Sequence, residues 1–524
     1  MINRRELGYG LLAGMAAQVL PGTAIAAGKD ELRVAVQNMA PWLDPGRDFS
    51  NVGSQFYWNA FDPLIGKDHT QAQNVWKPGL ATSWRQTSPT EIELTLREGV
   101  KFHDGSLMTV DDVVFSLDRL FHASFPPYVI RQRDTVPNMA KVEAIGPNAI
   151  RVTAKRAEPL FETLLNVQQL MVVPKQYIES LGAGGKTADN AAFEAFALKP
   201  IGTGPYRIAA FVPGQRLVYE RFDDFWGEKA PFRRVTITLI PELSARITAL
   251  ANNEVDLITN LPPDQIGVVA GNPALRVESI VTPLFHVVIF NPKHPKLRDA
   301  RIRQALSLAV DRDTLNKALW DGKAVVPSTH TMPQFGPLYM PELKTFGYDP
   351  DRARSLLKAA AYDGFAVRYD TAAGYYTNGL IAAQAIQEMW GAVGVKTQIN
   401  VQDQWTGNDP TMMARNWSNP MYFPDPAGCF GIMWGPTGNS VSEGRFTPTA
   451  DYNATWDRFR YSTDVVERRT AYASLMGEIA EDPPVLPLYQ PYESFARQSA
   501  LHWKPLPGHI PYVLDFRAGR VSFG

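Results

Sequence analysis

The most constraining feature of the sequence is a helical pattern that passes directly into a strand pattern in the second half of the chain. Apolar residues recur at helical spacing over residues 380–393, Gly394 follows, and apolar and polar residues alternate over 395–401 as in a half-buried strand. A helix followed at once by a strand is the repeating unit of α/β proteins. The sequence therefore predicts a mixed α/β fold.

Further segments carry the same two periodicities. Thr109 is predicted to cap one helix, with Asp112 in its first turn, where the helix dipole favours an anion. Asp349 is predicted to cap another helix, in which Pro350 takes the first position. The predicted segments are strands at 31–38 and 91–97, and helices at 109–120, at 299–319 and from 349 onwards.

Length and composition indicate more than one domain. The 524 residues are 45% hydrophobic, which is too much chain for one core and favours two or three domains. The formal net charge is -1, without a block of like charge, so neither nucleic acid nor an anionic membrane is indicated as a partner. The single cysteine, Cys429, excludes an intramolecular disulfide and is interpreted as a packed residue.

The first 26 residues have the layout of a secretory signal peptide. Arg4 and Arg5 precede an apolar stretch at 11–20, and small residues at Ala24 and Ala26 provide a cleavage site after Ala26. The adjacent arginines leave both the general secretory route and the twin-arginine route open. We find no later apolar run of about 18 residues, so the expected product is a periplasmic protein without stable membrane insertion.

Several blocks of sequence resemble, in content and in order, the family-5 extracellular solute-binding proteins of ABC importers, which serve peptides, nickel and opines. Each block also has a structural explanation, since Gly202 and Gly204, for example, allow tight backbone turns. The blocks are LTLREGVKFHDG at 94–105, DDVVFS at 111–116, PIGTGPY at 200–206, FWG at 225–227, DARIRQAL at 299–306 and AVDR at 309–312.

This resemblance implies a bilobed periplasmic-binding-protein fold with a hinge between the lobes and an extra subdomain in the first lobe. It places the two crossings near 288–291 and 486–490. The implied domains are a signal peptide at 1–26, a lobe 1 core at 27–60, 196–288 and 490–524, an inserted subdomain at 61–195, and lobe 2 at 289–489. Closure of the lobes would bury a small solute for delivery to the permease subunits, by a monomer without a cofactor, a metal site or enzymatic activity.

In peptide-binding members of the family, the pocket uses a tryptophan, an arginine just before a second tryptophan, and an aspartate three residues further on that holds the peptide amino group. Trp405, Arg415 and Trp417 match the first three elements. The aspartate position is Pro420, and the nearest acid is Asp425. A free ammonium group would lack its counter-ion in a closed site, which is costly.

That departure predicts a hydroxylated or anionic solute, such as an opine, a sugar conjugate or a modified amino acid, whose carboxylate or phosphate Arg415 could bind bidentately. Short peptides stay among the expected solutes. The other candidate side chains either stack on a ring or hydrogen-bond hydroxyls, and a packed core is the structural alternative for each of them. They are Asn419, Tyr422, Trp434 and Asn439 in lobe 2, and Ser50, Asn51 and Tyr128, by family analogy, in lobe 1.

Three other functions stay open as alternatives. The first is an ordinary di- or oligopeptide or nickel-chelate receptor of the same family. The second is a periplasmic hydrolase, which the absence of a Gly-x-Ser-x-Gly or His-Glu-x-x-His pattern disfavours. The third is a chaperone, which would need an exposed apolar patch. The irregular composition of 408–448, rich in Pro, Gly and Asn, predicts a long functional loop.

Overall fold

The computed structural model describes residues 30–48, 50–71, 74–182, 190–372, 376–403, 409–507 and 513–524. The predicted signal peptide and Trp405 lie outside the described residues.

The described residues form 20 strands, β1 to β20 in chain order. They are Glu31–Val36, Ile65–Lys67, Trp76–Pro78, Ala81–Ser88, Glu91–Leu96, Met139–Gly146, Ala149–Ala154, Tyr206–Val212, Arg216–Arg221, Arg234–Leu239, Leu257–Ile258, Leu275–Val281, Leu284–Phe290, Val367–Ala372, Thr397–Gln402, Ala414–Pro420, Val485–Tyr489, Tyr492–Gln498, Leu501–Trp503 and Val521–Phe523.

The same residues form 16 α-helices, α1 to α16. They are Tyr57–Ala60, Val110–Phe121, Pro126–Thr135, Phe161–Leu164, Lys175–Leu181, Asn190–Leu198, Leu243–Ala251, Pro263–Ala270, Ala300–Leu308, Arg312–Trp320, Pro350–Ala359, Gly379–Ala392, Phe430–Trp434, Asn439–Ser442, Ala450–Tyr461 and Val465–Glu481. Short 3-10 helices lie at Gly53–Gln55, Gln168–Leu170, Pro295–Leu297, Pro333–Leu338 and Pro426–Gly428.

Two large mixed sheets organise the two lobes. The sheet of lobe 1 has seven strands in the order β12-β18-β11-β1-β10-β9-β8, with β1 parallel to β10 and β11. The sheet of lobe 2 has five strands in the order β15-β14-β16-β13-β17, with β14 parallel to β15 and β16. A four-stranded antiparallel sheet, β4-β5-β7-β6, belongs to the inserted subdomain. The predicted α/β bilobed fold is confirmed.

The chain passes between the two large sheets twice. Thr282 and Pro283 join β12 to β13, while Gln490 and Pro491 join β17 to β18. The two crossings are bonded to each other, because the backbone N–H of Thr282 donates to the Pro491 carbonyl at 2.9 Å and the Gln490 amide donates to the Thr282 carbonyl at 3.3 Å. Two adjacent, linked crossings are the geometry of a hinge.

The first crossing differs from its predicted position at 288–291. All of β13 pairs with β16, from Leu284 to Phe290, so a boundary between residues 288 and 289 would cut one strand of the lobe 2 sheet. A strand cannot be divided between two rigid bodies without breaking its ladder of hydrogen bonds. We therefore propose the domain division given above, except that the boundary between lobe 1 and lobe 2 moves from 288–289 to 282–283.

Local signals predicted several helices and strands correctly. Thr109 caps α2 in a capping box with Asp112, and Asp349 caps α11 by accepting from the Arg352 backbone N–H at 2.9 Å. The helix predicted over 299–319 was wrong as a single element. It is divided into α9 and α10 because Asp311 takes an extended conformation and caps α10 by accepting from the Thr314 backbone N–H at 3.0 Å.

The prediction of a long irregular loop over 408–448 was also wrong in part. This stretch contains β16 and the short helices α13 and α14. The strand β16 lies between β14 and β13 in the lobe 2 sheet, so its backbone groups are satisfied by strands distant in sequence. Local composition could not reveal these partners.

Within the described residues, no helix combines the length and the apolarity that crossing a membrane requires.

Candidate functional site: a cleft between the lobes

A cleft opens between the lobes beside the two crossings, and we call it the hinge cleft. Side chains from both sheets line it. Lobe 1 and the second crossing contribute Gln37, Asn38, Asn51, Val52, Gln55, Asn260, Pro491 and Glu493, and lobe 2 contributes His286, Trp320, Tyr376 and Thr377.

The topology of lobe 1 explains why its polar residues meet here. Gln37 and Asn38 follow the carboxyl end of β1, and Asn260 follows that of β11, which runs parallel to β1. Glu493 lies near the start of the antiparallel neighbour β18 and therefore reaches the same edge of the sheet. Ligands of open α/β sheets bind at such edges, where the carboxyl ends of parallel strands meet.

The cleft is rich in amides and poor in charge. Five of its lining residues are Asn or Gln, each able to donate and accept hydrogen bonds. Burial lowers the pKa of His286 to about 3, so this imidazole is neutral near pH 7. Glu493 is the one Asp, Glu, Lys or Arg among the described residues that line the cleft. The arrangement suits recognition of a polar organic solute.

Glu493 is strongly buried in this wall, with 6% of its surface exposed. Burial raises the pKa of its carboxyl to about 8, while a hydrogen bond with the Asn260 backbone and the charge of Arg246 act in the opposite direction. The Oε1 atom of Glu493 has no hydrogen-bond partner among the described residues. A buried acceptor left in this state costs about 1–3 kcal/mol.

Small polar side chains of the two lobes meet across the cleft. The Asn51 amide of lobe 1 donates to the Ser418 hydroxyl of β16 at 3.3 Å, and the Ser418 backbone N–H donates to the Tyr376 hydroxyl at 3.2 Å. Asn51 was a predicted site residue, and the structure places it on the cleft wall.

A second contact between the lobes joins the inserted subdomain to α14 and α15. We call it the distal contact, and its pairs are Glu158–Arg460, Arg133–Asn439 and Arg156–Asp457. Arg460 donates from both terminal nitrogens to the two carboxylate oxygens of Glu158 at 2.7 Å each. The Arg133 guanidinium donates to the Asn439 amide oxygen at 2.8 Å. Asn439 therefore takes part in lobe contact away from the hinge cleft.

Arg415 and Trp417, two central predictions, lie on the other face of β16 from the hinge cleft. Ser418 is paired with the cleft residue His286, and side chains at successive strand positions point to opposite faces. Arg415 is buried, with its guanidinium 4.1 Å from the centre of the Trp417 ring. Neither residue is among those that line the cleft.

Asn419 is committed to the interior of lobe 2, in contrast to its predicted role with hydroxyl groups. Its amide N–H donates to the Cys429 carbonyl at 2.9 Å, and its amide oxygen lies 2.7 Å from His330 Nε2. This network requires the His330 tautomer that carries the proton on Nε2. Cys429 itself is fully buried, as predicted for a packed residue.

Trp434 and Asp425 are also structural. Trp434 is 0% exposed and stacks on Phe430 with ring centres 5.3 Å apart. Asp425 accepts from Arg468 at 2.8 Å, so it is not available as a replacement counter-ion. Tyr422 is half-buried and lines a separate small recess, facing Trp58 of lobe 1.

The lobe 1 candidates chosen by analogy have local roles. The Ser50 hydroxyl accepts from the Gly53 backbone N–H at 2.9 Å and so shapes a turn. Tyr128 is buried against Arg119, which donates to the Tyr128 hydroxyl at 2.8 Å and forms an ion pair with Asp44 at 3.0 Å. Both positions are explained by packing and hydrogen bonding within lobe 1.

Sequence reasoning missed Glu493 and His286. One signal for Glu493 was present, because an isolated acid stands within the otherwise apolar and aromatic stretch 485–496, directly after the predicted second crossing. No comparable signal marked His286, since a lone histidine in an apolar strand is commonly a core residue.

The family comparison agrees with this architecture. Residues 75–440 match the model of the bacterial extracellular solute-binding proteins, family 5, and the chain belongs to this family. The dipeptide-binding protein of Escherichia coli K12 is 27% identical over 347 residues, which span 63% of this chain and 63% of that relative. The match thus spans less than two thirds of the relative's length.

Two solved structures share the fold over nearly the whole chain. The dipeptide-binding protein of Pseudoalteromonas sp. SM9913, in complex with Met-Leu, has a TM-score of 0.83 and 20% identity, with 94% of this chain and 100% of that chain covered. The binding protein AgaA of A. tumefaciens R10, in complex with agropinic acid, has a TM-score of 0.75 and 20% identity, with 91% and 95% covered.

Proposed function

We propose that this chain is an exported receptor that captures a small solute in the hinge cleft and delivers it to the permease of an ABC importer. The observation that carries the proposal is the cleft itself, which is lined from both lobes and lies beside two linked crossings. Rotation about those crossings would open and close the cleft over a solute. Membership of the family supports the transport role.

We propose recognition without chemical conversion. General acid–base catalysis near pH 7 needs a group that titrates there and a partner within hydrogen-bond reach of the reacting atom. Glu493, with a pKa of about 8, titrates in this range, but the described lining of the cleft offers it no second such group. His286 is kept neutral by its lowered pKa, and Cys429, whose thiol pKa burial raises, lies in the core of lobe 2. Incubation with one equivalent of a bound solute followed by mass spectrometry tests this point. Recovery of a converted product would contradict it.

The solute classes that we propose are an opine, a sugar conjugate, a modified amino acid or a short peptide. All of these carry hydroxyl, amide or carboxyl groups that the amides of the cleft can hydrogen-bond. The half-buried ring of Tyr376, which lines the cleft, suits an aliphatic chain or a sugar ring.

A thermal-shift screen combined with small-angle X-ray scattering tests the proposal. A solute at 100 times its dissociation constant should stabilise the chain by about 2.7 kcal/mol, and each solute that binds should lower the radius of gyration. Tight binding without a change in dimensions would contradict closure of the lobes.

A matched pair of variants locates the site. Asn51→Ala removes an amide from the hinge cleft, and Asn252→Ala removes an exposed amide that bonds the Glu254 carboxylate at 3.2 Å within lobe 1, outside the cleft. We expect weaker solute binding by Asn51→Ala and binding close to that of the natural chain by Asn252→Ala. Equal effects would move the site away from the hinge cleft.

A further inference from the structure

The lobe 1 wall of the hinge cleft carries a buried acid with an unused acceptor atom. Glu493 lies two residues after the second crossing, and its Oε1 makes no hydrogen bond within the described part of the chain. Buried carboxyl groups are normally paired or fully hydrogen-bonded. A group that is neither, and that faces a ligand cleft, points to a partner supplied by the solute.

The nearest cationic side chain does not provide that partner. Arg246 of α7 is buried and donates to three backbone carbonyls, those of Ile240 at 2.8 Å, Pro241 at 2.6 Å and Asn260 at 3.3 Å. Its charge acts on Glu493 through space only. The guanidinium thus fixes the segment that carries Asn260 and gives the buried Glu493 Oε1 atom no donor, although Glu493 lines the cleft.

The opposite wall is aromatic. His286 lies 5.4 Å from the ring centre of Tyr376 and 6.0 Å from that of Trp320. With His286 neutral, this wall has no positive charge that would repel a cation. Aromatic faces attract organic cations and pack against the carbon atoms next to them. The cleft therefore presents an acid on one side and a cation-compatible surface on the other.

We propose that Glu493 binds a protonated amine of the solute, and that His286 and Tyr376, which pack in front of the buried Trp320, cover the carbon atoms adjacent to that amine. This inference rests on the proposed function and narrows its solute to an amine-bearing compound. A hydroxyl group could bond the same oxygen, but the five amides of the cleft already serve hydroxyls. Burial raises the pKa of Glu493 to about 8, and an adjacent ammonium group would lower it again, so the carboxylate becomes the counter-ion of the amine when the amine binds.

Glu493 provides the counter-ion that the sequence alone did not reveal. The absence of an aspartate at position 420 indicated that a free amino group would lack a counter-ion. Glu493 supplies one from the other lobe, across the cleft from β16. A solute amine therefore still finds a charged partner at the hinge, in Glu493. Closure of the lobes then brings this amine against the surface of lobe 2.

The test compares three pairs of probes by isothermal titration calorimetry. The pairs are Ala-Phe with N-acetyl-Ala-Phe, glucosamine with N-acetylglucosamine, and arginine with Nα-acetylarginine, so each pair differs by acetylation of one amine. A hydrogen bond to a charged group corresponds to about 10- to 100-fold in affinity. We expect at least one amine to bind more tightly than its acetylated partner by about tenfold or more.

Variants assign the effect to the carboxylate. Glu493→Gln should abolish the preference for the amine, and Glu493→Asp, which keeps the charge but shortens the side chain, should retain part of it. Glu278→Gln is the matched control, because Glu278 lies on the adjacent strand and pairs with Arg497. This control should keep the full preference. Circular dichroism verifies that each variant is folded.

The outcomes separate the two proposals. Equal binding of amines and acetylated partners, an unchanged preference in Glu493→Gln, or binding confined to solutes without an amine would overturn the role of Glu493 and leave the receptor function intact. The absence of binding to every solute in this set and in the thermal-shift screen would overturn both.

Discussion

The two regions where the lobes meet are built in opposite ways. In the distal contact, Glu158 is completely satisfied, because its oxygens accept from Arg460, from the Asn138 amide at 3.0 Å and from the Leu160 backbone N–H at 3.0 Å. In the hinge cleft, Glu493 keeps an acceptor atom for which the described residues supply no donor. We infer from this difference that the distal contact stabilises closure, while the hinge cleft keeps hydrogen-bonding groups available for the proposed solute.

The largest expected effect comes from breaking the distal contact. Arg460→Met leaves Glu158 buried without its cation, and removal of one partner from a buried ion pair costs about 3–5 kcal/mol. Opening of the lobes hydrates Glu158, so we expect the solute-saturated variant to keep a larger radius of gyration in small-angle scattering than the solute-saturated natural chain. The double variant Glu158→Leu/Arg460→Met should recover most of the closed population. An unchanged radius in the single variant would show that this ion pair does not hold the lobes together.

The second largest effect is a difference in stability between the loss of an amide in the core of lobe 2 and the loss of an amide in the hinge cleft. Asn419→Ala removes the partner of both the Cys429 carbonyl and the His330 ring, and we expect it to lower the free energy of unfolding by about 1–3 kcal/mol. Asn51→Ala, at the half-buried cleft wall, should lower it by less than about 1 kcal/mol. Urea unfolding measures both values. A larger loss in Asn51→Ala would contradict the division into core and cleft.

The third prediction concerns the pH dependence that Glu493 creates. Its pKa rises from the ordinary 4.5 to about 8 in the folded chain, so its stabilising contribution is complete below about pH 4.5 and is lost as the pH rises through 8. Glu493→Gln removes this loss and should raise the free energy of unfolding at about pH 9 by at least about 1 kcal/mol relative to the natural chain. At about pH 4.5 the two chains should differ less. Thermal unfolding of both chains at both pH values measures this difference. A difference that is equal at the two pH values, or larger at about pH 4.5, would contradict the raised pKa of Glu493.

The smallest effect is expected at the rim of the distal contact. Arg156 and Asp457 form an ion pair at 2.9 Å, but each side chain is about half exposed. Exposed pairs contribute roughly 0–1 kcal/mol, so Asp457→Asn should change the free energy of unfolding by less than about 1 kcal/mol and leave the radius of gyration unchanged. A shift comparable to that of Arg460→Met would show that burial does not distinguish the two pairs.

The sequence predicted the elements whose signals are local. Thr109 and Asp349 cap their helices because each side chain bonds a backbone N–H only three residues away. The strands β1 and β5 and the succession of α12 and β15 follow from apolar periodicity. The break at Asp311 was missed, since the helical pattern continues through it while the backbone does not.

By itself, the sequence determined an α/β chain of this family and several of its helices and strands, because periodicity, caps and family blocks are written in neighbouring residues. Only the tertiary structure decided which polar residues form the site. The face of β16 that holds Arg415 and Trp417 is set by pairing with β13, about 130 residues earlier in the chain. The position of Glu493 opposite His286 depends on two crossings about 200 residues apart meeting at the hinge. Such proximity comes from the packing of sheets and leaves no pattern in adjacent residues.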